Sequence, residues 1–477
     1  MSAQESLSHK VLSGSFWQFS AKFSQALINL LVQIALARLL VPEDFALLAI
    51  CAIVLEISEL LVDGGFASAL IQKDSLDKKD LDTVFYVNVA LASLLFCVIA
   101  LSAPYIAHFF NLVTLAPVLI AVSIGIPLSS LGNVQNALLQ KNFKFKSRMK
   151  VSLSAVVLSG ICSVSLAALS FGVWALVCGQ LLNRLIYTAA ISFIAGYKPG
   201  TNFSFERSRS LWNFGFAVLI SNLLSIVQRQ APTLLIAKAF TPVQLGYVSM
   251  AQKIDKTASV SLEGSLMQAL FPAFSSIQKD QARFSHAFTK ALVLGNFIFI
   301  PLIFVLIIVA PDLVLLLFGQ KWILVGPYLQ ALSFFTLSLL SYNTYKQACL
   351  ALSLSKQALI ADLMVLIISI IAMLIALPYG IIWVFIIQFP VRIIGIVYQH
   401  IQINKHIALS VSNILKPLAH IMLASAAMII VMLLLSQMHM LPMLLKLMLQ
   451  LTLGALSYLL CAKLFMSSEL KSLLNLF

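Results

Sequence analysis

The sequence has very few charged residues. Only 10% of its 477 residues are Asp, Glu, Lys or Arg, whereas 61% are hydrophobic. A typical soluble domain carries about 25% charged residues and needs less apolar material for its core. The alternation of apolar and polar residues that marks transmembrane strands is also missing. Many apolar runs instead reach the ~18–20 residues that cross a bilayer as a helix. The composition therefore predicts an all-α polytopic membrane protein.

Sequence signatures of catalysis are missing as well. The chain has no Gly-rich phosphate loop, no HExxH, no paired-cysteine motif and no nucleophile elbow. Its six cysteines all lie in apolar segments, without the spacing of metal ligands. No stretch between the apolar segments is long enough to form a domain that holds an active site. We therefore expect a protein that is not an enzyme and that binds no metal or cofactor.

About fourteen apolar segments are predicted to span the membrane. Proline and glycine mark many of the joins between them, as in Pro42-Glu43-Asp44 and Ser170-Phe171-Gly172. The predicted spans are 14–40, 45–71, 82–103, 113–139, 150–170, 172–195, 211–239, 244–275, 287–310, 323–350, 357–378, 380–403, 411–436 and 441–466.

Lysine and arginine are distributed unevenly between the two sides of these spans. With the N-terminus inside, 21 of them fall on inner segments and only 4 on outer ends and loops. This asymmetry predicts a multi-pass membrane protein with both termini in the cytoplasm. The net charge of +14 is then mainly a topology signal, and no nucleic acid is expected to bind.

Polar residues recur along one face of the first long apolar segment. Their spacing of three and four places them on one side of a helix. A segment 200 residues later carries polar residues at the same helical phase. Because lipid cannot solvate such a stripe, both faces are expected to contact water or a partner helix. The first stripe is Gln18, Lys22, Gln25, Asn29 and Gln33, and the second is Asn222, Ser225, Arg229 and Thr233.

The two halves of the chain match beyond these stripes. The offset drifts only from 200 to 208 residues over the whole alignment, which indicates two homologous units at about 11–195 and 211–403. An even number of spans separates their starts, so a pseudo-two-fold axis along the membrane normal should relate them. Aligned pairs include Pro42 with Pro242, Gly64 with Gly264, and Arg184 with Arg392. The predicted organisation is a lead 1–13, a six-helix lobe 14–195, a cytoplasmic linker 196–210, a six-helix lobe 211–403, a helix pair 404–466 and a cytoplasmic tail 467–477.

Basic residues occur inside several predicted spans. A charge at mid-bilayer costs roughly 2.5–3.5 kcal/mol on insertion scales, so each one needs an explanation. These bases come from both halves, and some occupy repeat-related places, so they can converge on one central, water-filled cavity. A cationic cavity favours an anionic substrate such as a phosphate or an acidic sugar. The predicted substrate-binding residues are Lys22, Arg184, Arg229, Lys253, Lys256 and Arg392.

Acidic residues inside the spans admit two interpretations. They can form interhelical ion pairs, for example Glu56 or Glu59 with Lys22, or they can take part in gating or cation coupling. Arg229 can likewise form an ion pair with Asp255 or Glu263 on the eighth span. Asp362 lies in the first turns of its span, where the helix dipole favours an acid, and a structural role is expected for it. The candidates for gating or coupling are Glu56, Glu59, Asp63, Asp255 and Glu263.

Short motifs along the chain follow the order and spacing found in one family of membrane proteins. On these motifs the chain resembles polysaccharide exporters of the O-antigen, capsule and colanic-acid flippase type. This family belongs to the superfamily that includes multidrug and toxin extrusion antiporters and the peptidoglycan lipid-precursor flippase. The motifs are Gly14–Trp17, Ala37–Leu48, Asp63–Phe66, Ala69–Gln72, Phe171–Leu176, Ala269–Phe274 and Phe318–Trp322.

This resemblance implies two six-helix lobes around a central cavity with alternating access. The implied substrate is an undecaprenyl-diphosphate-linked oligosaccharide, flipped to the outer leaflet of the inner membrane. The expected partners are that substrate, membrane lipids, a polysaccharide polymerase and glycosyltransferases. Two alternatives stay open: a multidrug/cation antiporter of the same fold, with an acid-dominated cavity, and a membrane scaffold that transports nothing.

Overall fold

Every regular element in the described part of the chain is a helix. The computed structural model describes residues 24–64, 66, 70, 76–142, 144–200, 204–438 and 441–465. The prediction of an all-α membrane protein is thereby confirmed.

Contacts divide the chain into two compact units, Met1–Gly246 and Tyr247–Phe477. The last helix of the first unit, α9, packs against α2 and α3. The lobe boundary expected at 196–210 stays a prediction. The first unit contains α1 (Ser24–Leu39), α2 (Pro42–Asp63), α3 (Lys78–Phe110), α4 (Leu115–Ser123), α5 (Gly125–Ser130), α6 (Asn133–Lys141), α7 (Phe145–Ala168), α8 (Val173–Ala195) and α9 (Phe205–Ala239).

The helices that follow include one long helix, α11, which packs against α12, α13, α17 and α18. They are α10 (Pro242–Ser276), α11 (Gln281–Phe318), α12 (Val325–Thr336), α13 (Leu339–Ala351), α14 (Ser355–Ala376), α15 (Ile381–Ile386), α16 (Gln388–Asn404), α17 (Val411–Ser436) and α18 (Met443–Phe465).

Nine helices of the described ranges are long and apolar enough to cross a membrane, and a bent pair of helices would make ten. Two further helices, α9 and α10, have 35 residues each and are long enough to cross, but they are more polar. The predicted count of fourteen spans and the superposition of the two repeats stay predictions.

The fourth predicted span is not one straight helix. It runs through α4, α5 and α6, with a bend of 45° between Ser130 and Asn133. Pro127 contributes to the interruption at Ile124, because proline has no N–H to donate to the carbonyl four residues earlier. The tenth predicted span, the repeat-related one, is likewise interrupted between Thr336 and Leu339.

Glycine forms the sharp turns that precede two of the helices. Gly172 before α8 has a φ of 56°, and Gly380 before α15 has a φ of 102°. A side chain at such angles would be strained, and glycine is not. The two glycines lie 208 residues apart, so the repeat predicted from sequence shares this backbone geometry at equivalent turns.

Small residues allow α7 and α8 to approach closely. A Cβ atom at Gly179 would lie 2.8 Å from the Ser163 side chain. The Ser163 hydroxyl donates to the Ala175 carbonyl at 2.8 Å, and the Asn183 amide donates to the Ser159 hydroxyl at 3.1 Å. Close backbone approach and interhelical hydrogen bonds are what hold helices together where lipid removes the hydrophobic driving force.

The C-terminal hairpin of α17 and α18 packs on α11. Gly454 faces Met432 across the hairpin, and a Cβ at Gly454 would lie 2.9 Å from the Met432 side chain. Tyr458 is buried and donates its hydroxyl to the Phe297 carbonyl at 2.7 Å. The hairpin is therefore attached to α11 by specific contacts.

Candidate functional site

The first cluster of charges within the spans joins α2 to α9. The Arg229 guanidinium forms an ion pair with the Glu56 carboxylate, and the neighbouring Gln230 amide donates to the other Glu56 oxygen at 2.7 Å. The Arg229 side chain is 51% exposed and that of Glu56 is 36% exposed. The sequence offered Asp255 and Glu263 as alternative partners of Arg229. Both acids instead accept hydrogen bonds from neutral side chains.

The second cluster links three helices of the first unit. Arg184 on α8 forms an ion pair with Glu59 on α2 and donates to the Ser129 hydroxyl on α5 at 3.2 Å. The Arg184 side chain is only 21% exposed. Glu56 and Glu59 therefore lie on one acidic face, as their spacing predicts, and each is paired with an arginine. The alternative pairing of these acids with Lys22 involves a residue outside the described ranges.

The polar stripes are partly within the described ranges. Gln25 donates its amide to the Ser152 hydroxyl on α7, so part of the first stripe faces a neighbouring helix. Asn29 is exposed, Gln33 is half-buried, and Gln18 and Lys22 lie outside the described ranges. On the second stripe, Asn222 and Arg229 are exposed, Ser225 is half-buried and Thr233 is 2% exposed.

Asp255 is a buried acid of the second unit with neutral hydrogen-bond donors. Its two carboxylate oxygens accept from the Ser333 and Thr336 hydroxyls, each at 3.0 Å. Both hydroxyls belong to α12, whereas Asp255 belongs to α10, so the acid ties these helices together. A buried carboxylate is tolerated when its oxygens accept hydrogen bonds.

Glu263 and Arg392 belong to the same cluster of charged residues as Asp255. Glu263 is 9% exposed and accepts from the Asn343 amide on α13. Arg392 on α16 donates to the Phe335 carbonyl at 3.4 Å, and its guanidinium lies 3.7 Å from the centre of the Phe335 ring. The charge of Arg392 interacts with both Asp255 and Glu263. Two acids therefore share one base in this cluster.

The remaining candidates are Lys253, Lys256 and Asp63. Both lysines are exposed on α10, one turn apart, and Asp63 is half-buried at the end of α2. The convergence of bases from the two halves on one cavity stays a prediction.

A buried polar site at the start of α3 was missed in the sequence analysis. Asp82 is fully buried and accepts from the Tyr197 hydroxyl at 2.7 Å and from the Gly200 backbone N–H at 3.0 Å. Burial raises the pKa of the Tyr197 phenol, and the adjacent Asp82 raises it further. The segment after α8 is thus attached to the first turns of α3. Nothing in the spacing of Asp82 distinguishes it from an ordinary residue of a helix start, so sequence gave no signal.

Asp362 has the partners expected of a structural acid. It accepts from the Tyr342 hydroxyl at 2.6 Å and from the Lys346 ammonium at 2.7 Å. These contacts fasten α14 to α13. The role of Lys346 as the partner of Asp362 follows only from the fold.

Solved structures of transporters share this fold. The chain is similar to a structure described as lipid II flippase MurJ in an inward closed conformation, with a TM-score of 0.76, 18% identity and coverage of 94% of this chain and 98% of that one. It is also similar to an inward-facing multidrug resistance MATE family transporter of the MOP superfamily, with a TM-score of 0.63, 18% identity and coverage of 80% and 95%. At these identities the likeness shows the fold alone.

Sequence relatives are named for polysaccharide biosynthesis. The chain is 26% identical to the lipopolysaccharide biosynthesis protein WzxC of Escherichia coli K12, over 69% of this chain and 67% of that protein. It is 26% identical to the succinoglycan biosynthesis transport protein ExoT of Rhizobium meliloti, over 62% and 60%. It is 24% identical to the teichuronic acid biosynthesis protein TuaB of Bacillus subtilis, over 69% and 68%.

The family described as polysaccharide biosynthesis protein matches residues 35–327, which is more than half of the chain. The resemblance stated from the sequence motifs is thereby confirmed, and the chain belongs to the polysaccharide biosynthesis protein family.

Proposed function

We propose that this protein flips an undecaprenyl-diphosphate-linked oligosaccharide across the bacterial inner membrane by alternating access, for the synthesis of a surface polysaccharide. Membership of the polysaccharide biosynthesis family and the transporter fold both support this function. So do the names of the relatives, one of which is a transport protein for succinoglycan biosynthesis.

The observation that supports the proposal most directly is the exposure and the incomplete pairing of the Arg229 guanidinium. This arginine lies within a long helix, yet its side chain is half exposed and only one of its terminal nitrogens is paired with Glu56. A guanidinium has five N–H donors in a planar fork, so Arg229 can hold Glu56 and still offer donors to a phosphate. The Gln230 amide on the second Glu56 oxygen fixes the carboxylate and thereby orients the arginine.

Exposed bases also occur on α10. Lys253 and Lys256 are exposed on a helix that is expected to cross the membrane. We assign both to the binding of the diphosphate, together with Arg229 and Lys22. A multidrug/cation antiporter would instead need acids without basic partners at the substrate site, whereas the exposed acids Glu56 and Glu59 are each paired with an arginine. The acids Asp255 and Glu263 are buried.

We assign those two buried acids to energy coupling. Asp255 and Glu263 share the single charge of Arg392, which leaves one negative charge in excess when both are ionised. Inside a membrane such an excess is costly, so binding of a proton or a small cation would stabilise the cluster. In the first unit, by contrast, Glu56 and Glu59 each have an arginine.

We also propose that both termini lie in the cytoplasm. A polysaccharide polymerase and glycosyltransferases are the proposed protein partners. The protein itself is proposed to catalyse no covalent chemistry.

Flipping can be measured in proteoliposomes with a fluorescent undecaprenyl-diphosphate monosaccharide and a membrane-impermeant quencher. We expect the protein to increase the rate at which probe crosses the bilayer. Lys256→Gln should lower that rate, and Lys416→Gln, which neutralises an exposed base with no assigned role, should not. Transport of a cationic dye in place of the lipid probe would overturn the proposal in favour of the antiporter.

A further inference from the structure

Arg184 and Arg392 occupy equivalent places in the two repeats, 208 residues apart. The sequence alone groups them with the substrate-binding bases. In the structure Arg184 contacts α5 and Arg392 contacts α12. Each of these helices belongs to the interrupted fourth span of its predicted repeat, and each contact lies close to the interruption.

In the first unit Arg184 fits a space that a glycine provides. A Cβ at Gly125 would lie 2.7 Å from Cδ of Arg184, so only glycine permits this arginine position. From there the guanidinium reaches both Glu59 on α2 and Ser129 on α5. Ser129 is adjacent to the 45° bend that follows Ser130. The arginine therefore ties the bent span to the second span.

In the second unit Arg392 has the same relation to its neighbours by different contacts. Its guanidinium contacts both the ring and the carbonyl of Phe335, next to the end of α12 at Thr336. The same carbonyl also accepts from the Ser338 backbone N–H at 3.4 Å and from the Ser338 hydroxyl at 3.0 Å, so the arginine joins other donors at this interruption. Asp255 on α10 accepts from Thr336 at the same interruption, which links the second span of this repeat to its fourth.

We propose that Arg184 and Arg392 are positioning residues, each of which fixes the interrupted fourth span of its repeat against the second span and does not contact the substrate. This inference rests on the proposed transport function, because it assigns these two arginines to the moving helices and leaves the diphosphate to Arg229, Lys253 and Lys256.

The physical reason lies in the shape of the arginine side chain. An interrupted helix has lost backbone hydrogen bonds, so its bend angle is set by outside contacts. A planar guanidinium can donate to two helices at once in fixed directions, whereas a lysine ammonium acts as a point charge. Arg184→Lys should therefore keep the ion pair with Glu59 and still lose part of the control over the bend.

The bend can be measured without any substrate. Spin labels at Val113 and Asn142, both exposed and at opposite ends of the interrupted span, report its angle as a distance in a cysteine-free variant in nanodiscs. Arg184→Gln and Glu59→Gln should each broaden the distance distribution, and the double variant should be no broader than either. Gly125→Ala, which displaces the arginine without removing it, should broaden the distribution as well. Lys150→Gln, an exposed base of the same unit, is the matched control and should not.

Flipping of the fluorescent lipid probe gives the second readout. We expect Arg184→Gln to lower the maximal rate about tenfold, which corresponds to about 1.4 kcal/mol, with KM nearly unchanged. An unchanged distance distribution together with a raised KM would overturn the inference and return Arg184 to the substrate site. If the wild-type protein flips no probe, the proposed function fails, and the distance measurement still decides whether Arg184 sets the bend.

Discussion

At the scale of single residues, the charges inside the spans differ in how they are compensated. Arg229 and Glu56 form an exposed pair, whereas Asp255 is buried and bound by hydroxyl groups. Exposed ion pairs contribute little to stability, about 0–1 kcal/mol, while buried polar groups are costly when left without a partner. Exposed charges can therefore bind a substrate while contributing little to stability. Removing one should lower transport and leave the free energy of unfolding nearly unchanged.

Neutralising Arg229 should abolish transport and leave stability nearly unchanged. For Arg229→Gln we expect at least about a tenfold loss of flipping with a change in unfolding free energy below about 1 kcal/mol. Arg229→Lys should restore only part of the rate, because a point charge replaces a bidentate fork. The double variant Arg229→Gln with Glu56→Gln separates the roles. Recovery of transport in this double variant would show that Arg229 serves only as the partner of Glu56.

Removing the charge of Asp255 should uncouple transport from an ion gradient. Asp255→Asn keeps the shape of the side chain, so we expect downhill flipping to continue while an imposed proton or sodium gradient no longer accelerates it. Asp362→Asn is the matched control, because this acid is also buried but is paired with Lys346. Its replacement should lower the unfolding free energy by about 1–3 kcal/mol and preserve the response to the gradient. A gradient response in Asp255→Asn equal to that of wild type would contradict the coupling role.

At the scale of helices, the first unit contains both a closely packed helix pair and an interrupted span. The pair α7 and α8 approaches closely through Gly179, Ser163 and Ser159, and forms a closely packed hairpin. The fourth span, in contrast, is divided into α4, α5 and α6, and Arg184 contacts it beside its bend. The first unit thus combines a closely packed hairpin with an interrupted span, whose angle we propose is set by Arg184.

A side chain at Gly179 should destabilise the hairpin. Gly179→Val inserts atoms where a Cβ would already lie 2.8 Å from Ser163, and we expect a loss of about 1–3 kcal/mol from overpacking. Gly264→Ala is the control, because no atom lies within 4 Å of a Cβ placed there. Thermal unfolding in detergent compares the two variants. Equal melting temperatures would mean that α7 and α8 can separate without cost.

At the scale of the whole molecule, contacts divide the chain at Gly246 and Tyr247, after α9 has packed against α2 and α3. The repeat predicted from the sequence would instead begin its second copy near residue 211. The predicted second repeat would then include α9, which packs within the first contact unit. The orientation of the spans in the membrane tests whether the two predicted repeats are parallel.

Reporter fusions can test that orientation. We expect cytoplasmic signals from fusions at Lys10, Arg207 and Lys471, because the segments rich in lysine and arginine are predicted to lie on the cytoplasmic side. A fusion at Lys321, on a predicted outer loop, should give a periplasmic signal. A periplasmic signal at Arg207 would make the number of spans in the first repeat odd and would exclude parallel repeats.

The sequence by itself determined the class of the protein, most of its apolar segments and its family. Hydropathy sets which segments can cross a membrane, and proline and glycine set where many of them end, as at Pro42 and Gly172; both are local properties. The polar stripes and the repeated Arg184 and Arg392 were also visible, because a polar residue is rare in so apolar a chain.

Only the tertiary structure decided which groups are partners. The pairing of Arg229 with Glu56 joins residues 173 positions apart, and the contact of Asp82 with Tyr197 joins residues 115 apart. Helical phase fixes the face on which a side chain lies, but it does not specify which helix packs against that face. The bend of the fourth span after Ser130 escaped prediction for the same reason. The hydropathy of this span is continuous, and the side chain that contacts it beside the bend is Arg184, which forms an ion pair with Glu59 on another helix.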